Sequence, residues 1–166
     1  DYIIVQIHYY QNPDAERQDD QTSVAFRTTD EVEHVIQMFP MGMRNFTIPA
    51  NEEAYTLTED ISIPLGYKIW GIFPHMHVLG SAYSVFAEKD GEERCLTRSD
   101  RYSFENQLAY LFEKEVEMEP NENLRLSCTW NNTDSNPLLI HNPPVDVSDG
   151  ERTDEEMCYA FTLASF

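Results

Sequence analysis

The chain has 166 residues, and its 30 acidic and 11 basic residues give a formal net charge of −19 at pH 7. This length is enough for one domain with a substantial core, and the charge argues against nucleic acid or an anionic membrane as a partner, because both would repel it. No apolar run approaches the length of a membrane span, so we expect a soluble protein in an extracellular or periplasmic medium.

The predicted elements begin with two strands, at residues 2–10 and 22–28, because β-branched and aromatic residues favour strands. Residues 30–45 are predicted to form an irregular connector, since Pro40 and Gly42 interrupt them. The main series of strands is predicted to follow this connector.

Further strands are predicted at residues 46–49, 54–58, 67–79, 82–88, 93–96, 104–112, 116–118, 124–126 and 159–166. Residues 104–112 also fit a helical stripe, and we favour the strand. Pro74 predicts an edge or a bulge in its strand, and residues 131–150, rich in Asn, Pro, Asp and Ser, predict a long loop. Many short strands with frequent turns predict an all-β fold, an antiparallel jelly-roll-like β-sandwich.

His75 and His77 stand two residues apart on a predicted strand, so their side chains project on the same side. Two imidazoles on a rigid strand can grip a metal ion, and a thioether from Met157 could complete the site. Imidazole with soft sulfur selects copper, especially Cu(I). A His-x-His pair on a strand is more often structural than a metal site, so the spacing alone leaves both interpretations open.

The three cysteines, Cys95, Cys128 and Cys158, are an odd number. One disulfide with one free thiol is the simplest arrangement in an oxidising compartment, whereas three reduced thiols are expected in the cytosol.

Four segments, taken in order, resemble the copper type II ascorbate-dependent monooxygenases, the family of peptidylglycine α-hydroxylating monooxygenase and dopamine β-hydroxylase. These segments are Ile7–Pro13, Pro74–Gly80, Ser127–Asn132 and Thr153–Cys158. They contain, respectively, a His-Tyr and Asn-Pro stretch, His-Met-His before Leu-Gly, Cys-Thr-Trp-Asn, and Glu-Met-Cys. The chain is similar to the C-terminal copper domain of that family, and it looks closer to the bacterial members than to the animal enzymes.

The resemblance implies that His75, His77 and Met157 hold the oxygen-binding copper of that family. His8 matches one ligand of a second, electron-transferring copper, whose other ligands lie upstream in the family. The resemblance also implies a disulfide between Cys128 and Cys158, and it gives Cys95 no counterpart.

The same resemblance implies a domain organisation. Residues 1–28 would be the tail of an N-terminal copper domain missing from this sequence, residues 29–45 a connector, and residues 46–166 the oxygen-binding copper domain. The implied reaction is hydroxylation of an aliphatic C–H bond of a small-molecule substrate by O2, with ascorbate as the reductant. A full-length core would hold two coppers, of which this chain has one complete site, so we expect a fragment that is inactive alone.

The peptide-amidating members of the family have an Arg two residues before the first ligand His, where this chain has Phe73. They have Asn and Tyr at the positions of Tyr159 and Phe161. The groups that hold a substrate carboxylate are therefore missing, and we expect a substrate pocket of Phe73, Tyr159 and Phe161 for a less polar or aromatic substrate. Two other functions remain open: a non-catalytic β-sandwich interaction domain, and a copper-binding or copper-storage module.

Overall fold

The computed structural model describes residues 3–5, 7 and 19–166, and it divides the chain into two compact units, residues 1–32 and 33–166. The described residues of the first unit form no strand or helix and are exposed. The strand predicted at residues 22–28 is therefore wrong. A strand needs a neighbour for its backbone N–H and C=O groups, and no strand that the structure describes pairs with these residues. Most of the strand predicted at residues 2–10 lies outside the described residues.

The second unit is built from β-strands. They are β1 Gln37–Gly42, β2 Thr47–Ile48, β3 Tyr55–Ser62, β4 Tyr67–Met76, β5 Gly80–Lys89, β6 Glu92–Ser99, β7 Tyr110–Met118, β8 Asn123–Trp130, β9 Val147–Ser148 and β10 Cys158–Ser165. Within the part of the chain that the structure describes, no helix has the length and hydrophobicity to cross a membrane.

The strands form two four-stranded sheets and one short ribbon. The first sheet has the order β1-β10-β4-β7, the second has the order β3-β8-β5-β6, and β2 pairs with β9. Every strand pair is antiparallel. The prediction of an all-β antiparallel sandwich is confirmed, and the jelly-roll connection stays a prediction.

The core lies between the two sheets, and strict alternation of side chains produces it. In β8 the side chains of Leu124, Leu126, Cys128 and Trp130 are buried, while those between them are half-exposed. Side chains on successive strand residues point to opposite faces, so one face of β8 is entirely apolar. Phe46, just before β2, packs on the Trp130 ring with the centroids 5.1 Å apart, and this closes one end of the core.

A bulge in β4 decides which side chains leave the core. The pairing of β4 with β7 shifts register between Ile69 and Gly71. Ile69 and Ile72 are both buried although they are three residues apart, so the alternation changes phase at the bulge. Beyond it Pro74 faces the core, and Phe73 and His75 face away from it. The bulge therefore turns the first histidine of the pair to the outer face of the sheet.

Several predicted boundaries change in the structure, and the loop predicted at residues 131–150 contains the short strand β9, which pairs with β2. Residues 30–45 are not irregular throughout, because β1 pairs with β10 from Gln37 to Gly42. The strand predicted at residues 104–112 begins only at Tyr110, and β4 ends at Met76 instead of Leu79. Pro is tolerated on an edge strand, where its missing N–H costs no hydrogen bond of the sheet, and β1 is an edge strand that pairs with β10 alone.

Pro74 lies at a local edge, as the sequence predicts. It pairs with Ala160 of β10, but the pairing of β4 with β7 ends at Ile72. Pro74 has no backbone N–H to donate, so it fits a strand position that has a hydrogen-bonded neighbour on one side alone. The segment between β6 and β7 fills the space beside it.

Candidate metal centre

His75 and His77 lie side by side at the end of β4. Their ring centroids are 5.2 Å apart and the ring planes meet at 84°. His75 is half-buried, and only 6% of the His77 surface is exposed. The structure thus brings the two predicted imidazoles to one place, at the border between the outer sheet face and the loop that follows.

A hydrogen bond to Gln107 determines which His75 nitrogen is free. His75 Nδ1 lies 2.6 Å from Gln107 Oε1. The amide orientation is fixed because Gln107 Nε2 donates to the carbonyl oxygen of Phe104 at 3.0 Å. A carbonyl-type oxygen can only accept, so His75 Nδ1 carries the proton. The lone pair of His75 Nε2 is then available to a ligand.

His77 has the same arrangement with a backbone acceptor. His77 Nδ1 lies 2.8 Å from the backbone carbonyl oxygen of Glu155, which again can only accept. The unprotonated nitrogen of His77 is therefore also Nε2. Burial lowers the pKa of His75 below its ordinary value, which favours the neutral form that a metal ligand needs.

The strand register bears on the position of Met157, which lies just before β10. Tyr159 pairs with His75, and Cys158 pairs with Met76. Directly paired residues project to the same side of an antiparallel sheet, and residues two apart share a face. If this register continues for one residue past the two strand ends, Met157 lies opposite His77 on the side of the two rings, and its role as a ligand stays a prediction.

A buried carboxylate fixes the backbone around these residues. Glu156 is fully buried, and its Oε2 accepts the N–H groups of His77 at 2.9 Å, Met157 at 3.3 Å and the Trp130 indole at 3.1 Å. Its Oε1 accepts the N–H of Leu79 at 2.7 Å. Burial raises the pKa of Glu156 to about 7, and these donors oppose that effect. One side chain thus ties together the segments that carry His77 and Met157.

A disulfide joins the two sheets beside the site. Cys128 of β8 is bonded to Cys158 of β10, with the Cα atoms 6.1 Å apart, and Cys95 is free and exposed. This is the pairing that the resemblance implied. Because Cys158 directly follows Met157, the bridge anchors the strand end that presents the thioether.

Three aromatic side chains surround His75 on the outer face. The ring of Phe161 lies 6.0 Å from that of Phe73 and 5.8 Å from that of His75, and it stacks on Tyr159 at 5.7 Å. Phe73 and Phe161 are half-buried, whereas Tyr159 is buried beneath the Arg44 guanidinium, 5.3 Å from its ring centroid. The three predicted pocket residues therefore form one aromatic cluster that adjoins His75, with Phe73 and Phe161 partly exposed and Tyr159 buried.

Comparison with known proteins bears directly on this site. The family profile described as "Copper type II ascorbate-dependent monooxygenase, C-terminal domain" matches residues 34–163. The chain belongs to this family. It is also 25% identical over 170 residues to dopamine beta-hydroxylase of Canis lupus familiaris, a match that covers 95% of this chain and 26% of that protein. The chain thus spans about a quarter of the length of this relative.

Because the chain belongs to a copper-dependent family, we compared the side chains around His75 and His77 with the ligands that copper prefers. Among the described residues, no group of three or more His, Cys, Asp or Glu side chains could hold a metal ion. Among the described residues the histidine pair therefore has no third ligand of those types, and the thioether of Met157 stays the predicted third ligand. Two neutral imidazoles and a thioether fit Cu(I) better than they fit hard cations, so the residues present fit the metal of the family.

His8, the predicted ligand of the second copper, lies outside the described residues. Its role stays a prediction, as does the closer likeness to bacterial members.

Sequence reasoning gave no role to Gln107, Glu156 or Trp130. Gln107 lies 32 residues from His75 in a segment predicted as strand, and nothing in its sequence neighbourhood marks it. Glu156 carried one signal, an acidic residue two positions before a mostly buried strand. Its partners are 77 and 79 residues away, so only the fold reveals what it binds.

Proposed function

We propose that the described domain is the oxygen-binding copper domain of a monooxygenase that hydroxylates an aliphatic C–H bond. His75 and His77, through Nε2, and Met157, through its sulfur, are the proposed ligands. The observation that carries this proposal is the pair of acceptors at the two Nδ1 atoms, Gln107 Oε1 and the Glu155 carbonyl oxygen. Ligand histidines in proteins almost always donate their second ring N–H in this way.

The proposed donor set has a definite chemical consequence. It carries no negative charge, and a thioether stabilises the reduced ion. When bound there, Cu(I) supplies the redox chemistry that activates O2. Three protein ligands leave a coordination position open, as in other catalytic metal sites.

The residues around the ligands keep them in place. Gln107 fixes the plane and tautomer of the His75 ring, and Glu156 holds the backbone of His77 and Met157 through its hydrogen bonds. Gly80 permits close packing here, because a Cβ atom at this position would lie 2.8 Å from Met76 Cβ and 2.9 Å from Tyr102 Cδ1. These contacts tie the segments that carry the proposed ligands to the strands and the core.

The aromatic surface beside His75 supports a substrate with an apolar or aromatic group near the bond to be hydroxylated. Phe73, Tyr159 and Phe161 are the proposed contacts. No cationic side chain occupies the position of Phe73, where peptide-amidating members place an Arg to hold a carboxylate. Rings of this kind bind flat apolar groups by stacking and by excluding water.

We propose that the complete reaction needs a second copper domain in addition to the residues of this sequence. His8 is the one residue of this sequence proposed for the electron-transferring copper, and the family description places the matched domain at the C-terminal end of its proteins. We propose an N-terminal copper domain as the partner, with ascorbate as the reductant and two coppers in the whole core. The disulfide between Cys128 and Cys158 supports an oxidising, extracellular or periplasmic location.

Copper stoichiometry followed by a single reaction with O2 tests the proposal. The chain titrated with Cu(I) under argon should bind one equivalent tightly, and His75→Ala should lose that binding. The Cu(I)-loaded chain should then consume O2 once. Failure to bind copper would favour the interaction domain, and tight binding without O2 consumption would favour the storage module.

A further inference from the structure

A second concave site lies on the other side of the segment that carries Gln107. It is a solvent-open cleft of about 380 Å³ between the end of β6 and the start of β7, which are edge strands of the two sheets. Pro74 and Tyr83, both buried, form its floor. No residue of the proposed copper site lines it.

The polar side chains of this cleft have few protein partners. Within residues 33–166, the Arg101 guanidinium, the Ser103 hydroxyl and the Asn106 side-chain amide make no hydrogen bond or ion pair, and all three line the cleft. Ser99 Oγ accepts the backbone N–H of Arg101 at 3.2 Å, which leaves its own O–H free to donate. Several hydrogen-bond donors thus converge on one small space.

The unpaired state of Arg101 is informative because the chain has a net charge of −19. Six other basic side chains of the same unit pair with carboxylates, whereas Arg44 lies over the Tyr159 ring and Lys114 has no carboxylate partner. The six are Lys68, Lys89, Arg94, Arg98, Arg125 and Arg152. Asp100, directly before Arg101 in sequence, pairs instead with Arg98 at 2.8 Å. The residues that line the cleft include no Asp or Glu. The cleft is therefore a locally cationic site on an acidic protein, which concentrates anions there.

We propose that this cleft binds a small organic anion that carries several hydroxyl or enol oxygens. The Arg101 guanidinium would take the charged group, since its fork of N–H donors matches carboxylate and enolate oxygens. Ser99, Ser103 and Asn106 would hydrogen-bond the remaining oxygens, and the Tyr110 ring at the rim would cover the ligand. Ascorbate, on which the matched family depends by its description, has this chemistry. This choice of ligand rests on the proposed function, whereas the binding itself needs no metal.

Titration of the metal-free chain with ascorbate, under argon and in chelator-treated buffer, tests the proposal by two-dimensional NMR. Ascorbate should bind with a dissociation constant in the millimolar range or below, and should shift the amide signals of residues 99–110. Arg101→Gln should weaken binding at least fivefold, and Asn106→Ala should weaken it to a smaller degree. Lys114→Gln, which removes one exposed positive charge from β7 outside the cleft, should leave the affinity unchanged.

Sorbitol, an uncharged polyol, serves as the ligand control and should not bind. Equal affinity of ascorbate for Arg101→Gln and the parent chain would overturn the proposal, as would equal binding of sorbitol. Shifts confined to residues outside the cleft would overturn it too. Because Arg101 is exposed and its side chain has no partner in the second unit, this variant should fold; should it fail, Asn106→Ala gives the same test.

Discussion

The carboxylate of Glu156 accepts the backbone N–H of His77 at 2.9 Å, across 79 residues of sequence. The same carboxylate holds the N–H of Met157, so a single buried group connects two proposed metal ligands. Buried polar groups that fix ligand geometry typically change metal affinity ten- to a hundredfold when they are removed. This relationship makes Glu156 the residue outside the ligand set on which the site depends most.

Glu156→Gln should therefore weaken both the fold and the site. The amide replaces one carboxylate oxygen with a donor, so at least one buried N–H loses its acceptor, at a cost of about 1–3 kcal/mol in the free energy of unfolding. We expect Cu(I) affinity to fall about tenfold, measured by competition with a chromophoric Cu(I) chelator. Glu151→Gln, at an exposed position, is the matched control. Unchanged affinity in Glu156→Gln would show that the carboxylate does not position the ligands.

Gln107→Leu should leave the His75 ring free to change its orientation. The substitution keeps much of the side-chain volume and removes the acceptor at Nδ1, so the ring loses the bond that orients Nε2. We expect about a tenfold loss of Cu(I) affinity in the same competition assay. Gln107→Glu retains an acceptor and should restore binding relative to Gln107→Leu. Gln37→Leu, at an exposed position of β1, should have no effect; an equal loss there would point to a general effect on the fold.

Loss of the disulfide should destabilise the domain. The bridge closes a loop with a sequence separation of 30, for which the chain-entropy relation gives about 3–4 kcal/mol. The double variant Cys128→Ala, Cys158→Ala should lose about that much free energy of unfolding in a urea titration. Cys95→Ser, which alters the exposed free thiol, should change it by less than about 0.5 kcal/mol. A larger effect of Cys95→Ser than of the double variant would contradict the structural assignment.

The chain by itself should not turn over repeatedly with ascorbate. His8 is the single proposed ligand of the second copper in this sequence, and one imidazole is too few to hold a redox-active copper. We expect at most one product per bound copper in an ascorbate-supplied assay. Steady turnover that His8→Ala leaves unaffected and His75→Ala abolishes would overturn the proposal of two coppers while preserving the single site.

The sequence allowed the sandwich and the histidine pair to be predicted because both follow from local patterns. Alternation in β8 predicts a face of apolar side chains, and the spacing of His75 and His77 predicts a shared side. The outward direction of His75 could not be predicted, since it depends on a bulge between Ile69 and Gly71 that exists only relative to β7.

The residues that hold the proposed metal ligands in place could not be predicted from local sequence patterns either. Gln107 lies in a segment whose residues fit both a helix and a strand, and the structure makes it neither. Its contact with His75 arises because β4 continues past the end of its pairing with β7, which leaves room for this segment. The place where two strands stop pairing depends on the whole sheet. A contact that forms at such a place therefore cannot be predicted from residue type and spacing.

X-ray absorption of the Cu(I)-loaded chain tests the central claim most directly, because it identifies the atoms bound to the metal. The account predicts imidazole nitrogen scatterers and one sulfur scatterer, and the sulfur should vanish in Met157→Ile. Met38→Ile, at an exposed methionine of β1, should retain it. A sulfur signal that survives Met157→Ile would contradict the assignment of His75, His77 and Met157 as the copper ligands.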